Sequence, residues 1–436
     1  MMQKEVFAAL VQRSFSVISG IAMTFSIPLF LSPEQQGYYY TFASVLAIQI
    51  FFELGLGQVL LYKFSSLAPN KKDSARLKNF DSSARLLYVS RRVYLVLSAL
   101  FFVSCSIAGC IFFSRSHHVG IEWMPQWILL VFFTSINLAQ SVKFVFLESH
   151  GGVANVAKYR LKLNLISSLL FLLALSVGGG LWSVIVIPAI NSVASALWIY
   201  TSSKSSAYRE HRVVKRLTSS KDLLNVWRRE IFPLQWRMSI SWLSGYFIFQ
   251  LLTPIAFNRF GPVVAGQLGF VVSAMNSILV VATTFSTAIS PRLSSLFHGG
   301  QINHFNSLFD QSLKRSVLAT VVLTQAFVLL VFSLSVFRVD LANRFLAWEP
   351  LFIYSVSVVI SAVVYCWALY LRSQAIEPLV WQSAITAIVM TPMLWAFSSF
   401  SLEAMLAAML LVTFWSSIAV WRIYQSNRKS LLLASS

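Results

Sequence analysis

Three charged side chains stand out well inside apolar sequence, away from the ends of the runs. Arg13 and Arg237 sit within the runs 6–31 and 233–257, and Glu53 within 38–62. A charge at the centre of a bilayer costs roughly 3 kcal/mol even on the gentler insertion scales, so it normally faces a wet cavity or a partner. A guanidinium is a permanent cation whose planar fork matches phosphate and carboxylate oxygens. A carboxylate in apolar surroundings takes up a proton more readily and so can carry one.

Arg13 lies about 10 Å in from Val6 at helical rise, on the wheel face that also carries Ser16, Gly20 and Thr24. Arg237 shares a similar face with Ser241 and Ser244. Both faces suit a water-filled space; alternatively both arginines snorkel to the cytoplasmic headgroups from the first turns of their helices. Glu53, about 14 Å from Tyr62 along its helix, reaches nearly the depth of Arg13. Two roles stay open for Glu53: a coupling site for H+ or Na+, or a fixed ion pair with Arg13. Lys143, Glu148 and His150 gather at the inner end of the fourth run, as an interfacial cluster or as the rim of a cytoplasmic opening.

The elements that must position these groups are twelve apolar stretches: 6–31, 38–62, 93–113, 123–146, 161–178 and 181–200, then 233–257, 263–290, 317–337, 351–371, 379–397 and 404–424. Most are long enough to cross ~30 Å of hydrocarbon as a helix. The fifth is the shortest, and Gly178, Gly179 and Gly180 part it from the sixth by a tight outer turn. If each crosses once, 28 of the 34 Lys and Arg residues lie in the even-numbered loops and the termini. Only Arg115, Arg259, Arg338 and Arg344 fall on the other side. The positive-inside rule then makes both termini cytoplasmic.

Composition agrees. The chain is 57% hydrophobic and 11% charged, with a mean hydropathy of +0.70, against about 25% charged in soluble domains. The net charge of +19 is spread over short loops. That distribution fits membrane topology and attraction to anionic lipid better than it fits nucleic acid. The N-terminal run passes straight into a spanning helix rather than a cleavable leader. Cys105, Cys110 and Cys366 all fall in apolar runs, with no disulfide framework or metal spacing, and read as packing residues.

The expected fold is all-α and polytopic, with about twelve transmembrane helices in two six-helix lobes. Residues 1–201 form the N-terminal lobe, 202–230 a basic, Ser-rich cytoplasmic connector, and 231–436 the C-terminal lobe. An internal repeat supports the division. Arg13, Ser16-x-x-Ser19-Gly20 and Pro28 match Arg237, Ser241-x-x-Ser244-Gly245 and Pro254 at offsets of 224, 225 and 226 residues. A second pairing sets Phe146–His150 against Tyr370–Gln374 at an offset of 224. Halves of six helices have the same orientation and are parallel repeats.

Enzymatic signatures are lacking. No phosphate-cradling glycine loop ends in Lys-Ser/Thr, and the outer loops are too short for the carboxylate-rich domains of glycan polymerases and ligases. His117, His118 and Glu122 lack the second shell a metal site needs. Trp123, Trp127, Trp182, Trp348 and Trp421 fall where an aromatic belt is expected. Pro28, Pro188, Pro254 and Pro392 interrupt helices as static kinks or as bending points.

Two stretches carry a resemblance. Ile27-Pro28-Leu29-Phe30-Leu31-Ser32-Pro33-Glu34-Gln35-Gln36-Gly37, followed by Phe52-Glu53-Leu54-Gly55-Leu56-Gly57, resembles bacterial Wzx-type polysaccharide flippases. These belong to the superfamily of multidrug, oligosaccharidyl-lipid and polysaccharide exporters. Arg237 to Gly245, Pro254, Gly261, Ala265, Gly266 and Pro291 look like that family's opening of the second half. The resemblance implies two lobes about a cavity open alternately to each side of the cytoplasmic (inner) membrane. The implied cargo is undecaprenyl-pyrophosphate-linked oligosaccharide for O-antigen, capsule or exopolysaccharide, delivered to polysaccharide polymerase machinery. Arg13 and Arg237 match cavity arginines that meet the pyrophosphate, with Ser16, Ser241 and Lys143 as further cavity residues. Glu53 replaces the commoner aspartate, and its second-half counterpart near Ile278 is apolar. The competing expectations are a cation-coupled multidrug exporter of the same fold and, more remotely, a membrane glycan polymerase or ligase. No cofactor is expected beyond a coupling H+ or Na+.

Overall fold

A computed structural model describes residues 2–67, 76–115, 121–202, 232–374, 376 and 378–435. The connector expected at 202–230 therefore lies, Ser202 apart, outside the described residues, as do His117 and His118. The described chain is helical, without a strand. The first six apolar runs become α1 (Met2–Phe30), α2 (Pro33–Leu46), α3 (Ile50–Glu53), α4 (Leu56–Leu67), α5 (Arg76–Ser114), α6 (Met124–Leu147), α7 (Val153–Ser176) and α8 (Ser183–Ser202). The second six become α9 (Phe232–Phe249), α10 (Leu252–Ala282), α11 (Thr284–His298), α12 (Ile302–Val336), α13 (Trp348–Arg372), α14 (Val380–Phe397) and α15 (Leu402–Ser435).

Among the described residues nine helical stretches are long and apolar enough to span, and a tenth is the α2–α4 run bent by 44°. The twelve expected runs are all helical, but their joints differ. The seventh and eighth form one long apolar stretch, Trp242–Ala282. Pro254 has no N–H for the Gln250 carbonyl, and α9 ends at Phe249. Gly261, at φ 85° and ψ 175°, interrupts α10. The fifth helix is not short: α7 starts at Val153 and has 24 residues. Its first turns carry Lys158, Arg160 and Lys162, whose charge hid them from a hydropathy window. In the same way α5 runs for 39 residues and α12 for 35, about 58 and 53 Å at helical rise.

The helices are inside out relative to those of a soluble protein. On α5, Val96, Leu100, Val103, Ile107 and Ile111 are exposed, whereas Ser98, Phe101, Cys105 and Phe113 are buried. On α12, Leu318, Val322 and Leu329 point outward, while Ser312, Ser316, Thr320 and Thr324 form a buried hydroxyl row. Lipid is as apolar as leucine, so packing between helices is driven by close approach of small residues and by hydrogen bonds. Thr320 and Thr324 return their hydroxyls to the carbonyls of Ser316 and Thr320, both at 2.8 Å. Ser286 reaches Ser316 at 2.8 Å and the Cys366 Sγ at 3.3 Å. Cys366 is thus part of a hydroxyl–thiol cluster as well as a packing residue.

Contacts divide the chain into two compact units. Unit 1 comprises Met1–Gln35 and Val45–Trp242; unit 2 comprises Gln36–Ser44 and Leu243–Ser436. The start of α2 is built into unit 2. There, a Cβ added at Gly37 would overlap the Pro262 carbonyl, its carbon at 2.5 Å and the Pro262 Cα at 2.8 Å. One added at Gly266 would meet the Gly37 N at 2.7 Å. Hydrogen at both positions lets two backbones touch. The Gln36 Nε2 donates to the Gly266 and Arg344 carbonyls at 3.0 and 3.2 Å. Tyr38 meets Phe257 edge to face at 5.0 Å.

Unit 2 is closed by polar bonds at the end where α12 begins and α15 finishes. Arg428 on α15 grips Asp310 on α12 with both nitrogens, at 2.8 and 2.7 Å, and donates to the Tyr424 hydroxyl at 2.6 Å. Tyr370 donates to Asn306 at 2.8 Å, and Gln374 to Asn427 at 2.9 Å. Phe305, Phe309 and Leu371 pack around Tyr370 and Tyr424.

Candidate functional site

Several polar groups of unit 1 lie beside a break between α3 and α4. Leu54 is left-handed (φ 45°), as is Gly55 (φ 71°). For leucine that backbone costs about 1–2 kcal/mol. The break ends α3, and carbonyls left without helical donors need others. Ser239 on α9 supplies one, its hydroxyl lying 3.2 Å from the Leu54 carbonyl and 2.7 Å from the Gln235 carbonyl.

Glu53 is the last residue before the break. Its half-buried carboxylate is bonded by the Gln49 side chain. It lies within electrostatic reach of the Tyr94 phenol on α5, which neighbours Ser141 on α6. Tyr94 is fully buried, and its hydroxyl lies 3.4 Å from the point a Cβ at Gly57 would occupy. Lys143 is half-buried on the same helix as Ser141, with Arg91 nearby. Residues two apart on a helix do not share a face, so Lys143 does not share the face of Ser141. A carboxylate beside an amide and within reach of a phenol, at a helix C-terminus, suits a proton or a cation.

Ser16 has a different setting. Its oxygen accepts from Asn164 Nδ2 on α7 at 2.7 Å and from Gln12 Nε2 at 3.1 Å, and its hydroxyl donates to the Gln12 carbonyl at 2.9 Å. The face of α1 that bears Ser16 therefore touches α7. The backbones of Arg13, Arg237 and Ser241 lie in α1 and α9, and their side chains fall outside the described residues. So does the expected Arg13–Glu53 pair. Arg237 precedes by two residues the serine that binds the Leu54 carbonyl.

The Lys143, Glu148 and His150 group is not one cluster. A π-turn, Glu148–Gly152, joins α6 to α7. Glu148 pairs with Arg160 at 2.9 Å. His150 packs on Phe146 at 4.2 Å between centroids. Its Nδ1 lies 3.0 Å from the Phe146 carbonyl and its Nε2 3.2 Å from the Ser83 hydroxyl. A proton on Nδ1, with Ser83 donating to Nε2, satisfies both. These groups tie α5, α6 and α7 together at the α6–α7 joint. Among the described residues no three His, Cys, Asp or Glu side chains could hold a metal ion.

Sequence reading missed Tyr94, Ser141, Asn164 and Ser239. Asn164 carried a signal, since an amide inside a spanning helix normally has a partner on another helix. Tyr94 at the edge of an apolar run is indistinguishable from a belt aromatic.

No protein-family model matches the sequence, and no curated protein matches it. Solved structures do. A multidrug resistance MATE family transporter of the MOP superfamily, in an inward-facing conformation, aligns with a TM-score of 0.68 at 13% identity, over 98% of this chain and 100% of that one. The lipid II flippase MurJ, in an inward closed conformation, aligns with a TM-score of 0.63 at 14% identity, over 99% and 90%. A MOP superfamily transporter from Pyrococcus furiosus, described as having a binding pocket of reverse polarity, aligns at 0.55 and 12%, over 97% and 96%. The chain has the fold of the MOP superfamily transporters.

Proposed function

We propose that this protein is a flippase that turns undecaprenyl-pyrophosphate-linked oligosaccharide from the cytoplasmic to the outer leaflet of the inner membrane, with both termini in the cytoplasm. The observation that carries this reading is the placing of one arginine in the first helix of each repeat, Arg13 and Arg237, on a chain whose basic residues otherwise crowd one side. A lipid pyrophosphate carries at least two negative charges, and guanidinium groups bind such oxygens two at a time. The break at Glu53–Gly55 and its bond to Ser239, close along α9 to Arg237, is compatible with the reading, because irregular backbone at membrane depth is tolerated within protein or beside a wet cavity. In the cycle Arg13 and Arg237 anchor the headgroup, Ser241 and Lys143 contribute further polar contacts, and the prenyl tail stays in lipid; Ser16, held by Asn164 and Gln12, serves the α1–α7 contact instead. Glu53 carries the coupling H+ or Na+. Released cargo passes to the polysaccharide polymerase machinery.

A cation-coupled multidrug exporter is the second reading, favoured by the acidic and aromatic pair Glu53 and Tyr94. One experiment separates them. In the native host, replacing both Arg13 and Arg237 with Ala should abolish surface polysaccharide while leaving the protein inserted. Unchanged polysaccharide, with raised sensitivity to cationic dyes, would reject the flippase in favour of the exporter.

A further inference from the structure

Unit 2 has a groove of ≈ 430 Å³ on its basic, inner end. One wall is Leu371, Ile376 and Pro378, at the turn after α13; the other is α15, with Arg422, Ile423, Ser426, Asn427 and Ser430. Arg422, Ser426 and Ser430 recur every four residues and so form one stripe, about 12 Å long. Asn427 is set in place by Gln374. Neither Arg422 nor Ser426 has a hydrogen-bond partner among the described residues, and both are exposed. Asp310, the acid at this end on α12, is already gripped by Arg428. Trp421, adjacent to the stripe and 45% exposed, marks the level of the headgroups. Glu377 lies between two lining residues in sequence and outside the described ones. With it, Arg372, Arg422, Arg428 and Lys429 still outnumber the two carboxylates of this end.

We propose that this groove binds an anionic phospholipid of the inner leaflet. Arg422 and Ser426 meet the phosphate, Ser430 and Asn427 meet the polar headgroup, and Ile376, Pro378 and Ile423 cover the glycerol and first acyl carbons, over the buried Leu371. An apolar wall facing a cationic, hydroxyl-bearing one matches the two chemistries that meet in a lipid at this depth. The site rests on the cytoplasmic placing of the basic loops and stands whichever cargo is carried.

The test is native mass spectrometry of the full chain released from nanodiscs holding equal phosphatidylglycerol and phosphatidylcholine of matched chains. Wild type should retain phosphatidylglycerol preferentially. Arg422→Gln should lower that preference roughly fivefold, and Arg422→Glu by roughly the square of that, at the usual strength of one basic residue near an anionic surface. Arg315→Glu, an equal charge change on α12 away from the groove, should leave it unchanged. Ser426→Leu, which fills the groove and keeps the charge, should also cut retention and serves if the Arg422 variants do not fold. Equal retention of the two lipids, equal losses for Arg422→Glu and Arg315→Glu, or displacement of the lipid by excess inorganic phosphate would each overturn the proposal.

Discussion

Gly37→Ala should loosen the start of α2 from unit 2. The added methyl has nowhere to go, because the groups it meets, the Pro262 carbonyl and Cα, are backbone. Gly37 must move away, and what it carries moves with it: the two Gln36 amide bonds to the Gly266 and Arg344 carbonyls and the Tyr38–Phe257 ring contact. Hydrogen bonds contribute about 1 kcal/mol each and an edge-to-face pair about as much. The sum is about 3 kcal/mol, or roughly a hundredfold in the ratio of docked to released segment. Thr41 is fully buried in the same segment. In a background lacking the native cysteines, Thr41→Cys should react slowly with a maleimide when the purified protein is held in detergent. Adding Gly37→Ala should speed labelling by about two orders of magnitude, since labelling follows the open population when opening is fast. Gly20→Ala is the control, as its new methyl meets nothing within 4 Å. Labelling of Thr41→Cys that is unchanged by Gly37→Ala, with unchanged thermal stability, would show that the seam tolerates a methyl and would refute the reasoning.

Three other outcomes are expected. In a double-mutant cycle with Arg428→Ala and Asp310→Ala, thermal unfolding in detergent should give a coupling of about 1–3 kcal/mol, above that of a surface pair, because the contact is bidentate and partly buried; a coupling near zero would make the clamp decorative. Leu54→Gly should stabilise the fold by about 1 kcal/mol through relief of its left-handed backbone, and a fall in melting temperature would show that the leucine side chain outweighs that strain. Glu53→Gln should leave cargo binding intact and remove any dependence of transport on a proton or sodium gradient, as measured in vesicles with imposed gradients. Wild-type gradient dependence in the variant would assign Glu53 to structure alone.

Among the described residues, hydropathy and charge were enough to locate the apolar part of each long helix, since burying an unpaired backbone in lipid leaves few alternatives to helix. They failed at helix ends on the basic side. Arg85, Arg91 and Arg92 are as helical as the apolar residues after them, because a helix that leaves the hydrocarbon has no reason to stop there. Broken helices were also hard to see. Gly55 and Gly261 are visible letters, but whether a glycine kinks a helix or only lets a neighbour approach depends on the partner it meets. Glu53 stood out through the cost of its charge. Its companions Tyr94 and Ser141 did not, because hydroxyls in spanning helices can return their proton to their own backbone, as Ser141 does to Leu138 at 2.8 Å. Ser16 had the right composition for a cavity wall, and only Asn164, distant in sequence, revealed which neighbour it faces.

The assignment of Gln36–Ser44 to unit 2, and of α9 as far as Trp242 to unit 1, sets an order on biosynthesis. When α2 leaves the ribosome, the surface that will receive Gly37 and Gln36 has not been translated. Until α10 arrives, the amide of Gln36 must be satisfied by the translocon, a chaperone or interfacial water. Unit 1 likewise waits for the start of α9 before its Leu54 carbonyl is met by Ser239. Neither half of the gene encodes a finished unit, so each half supplied on its own should be a better substrate for membrane proteases than the two halves made together.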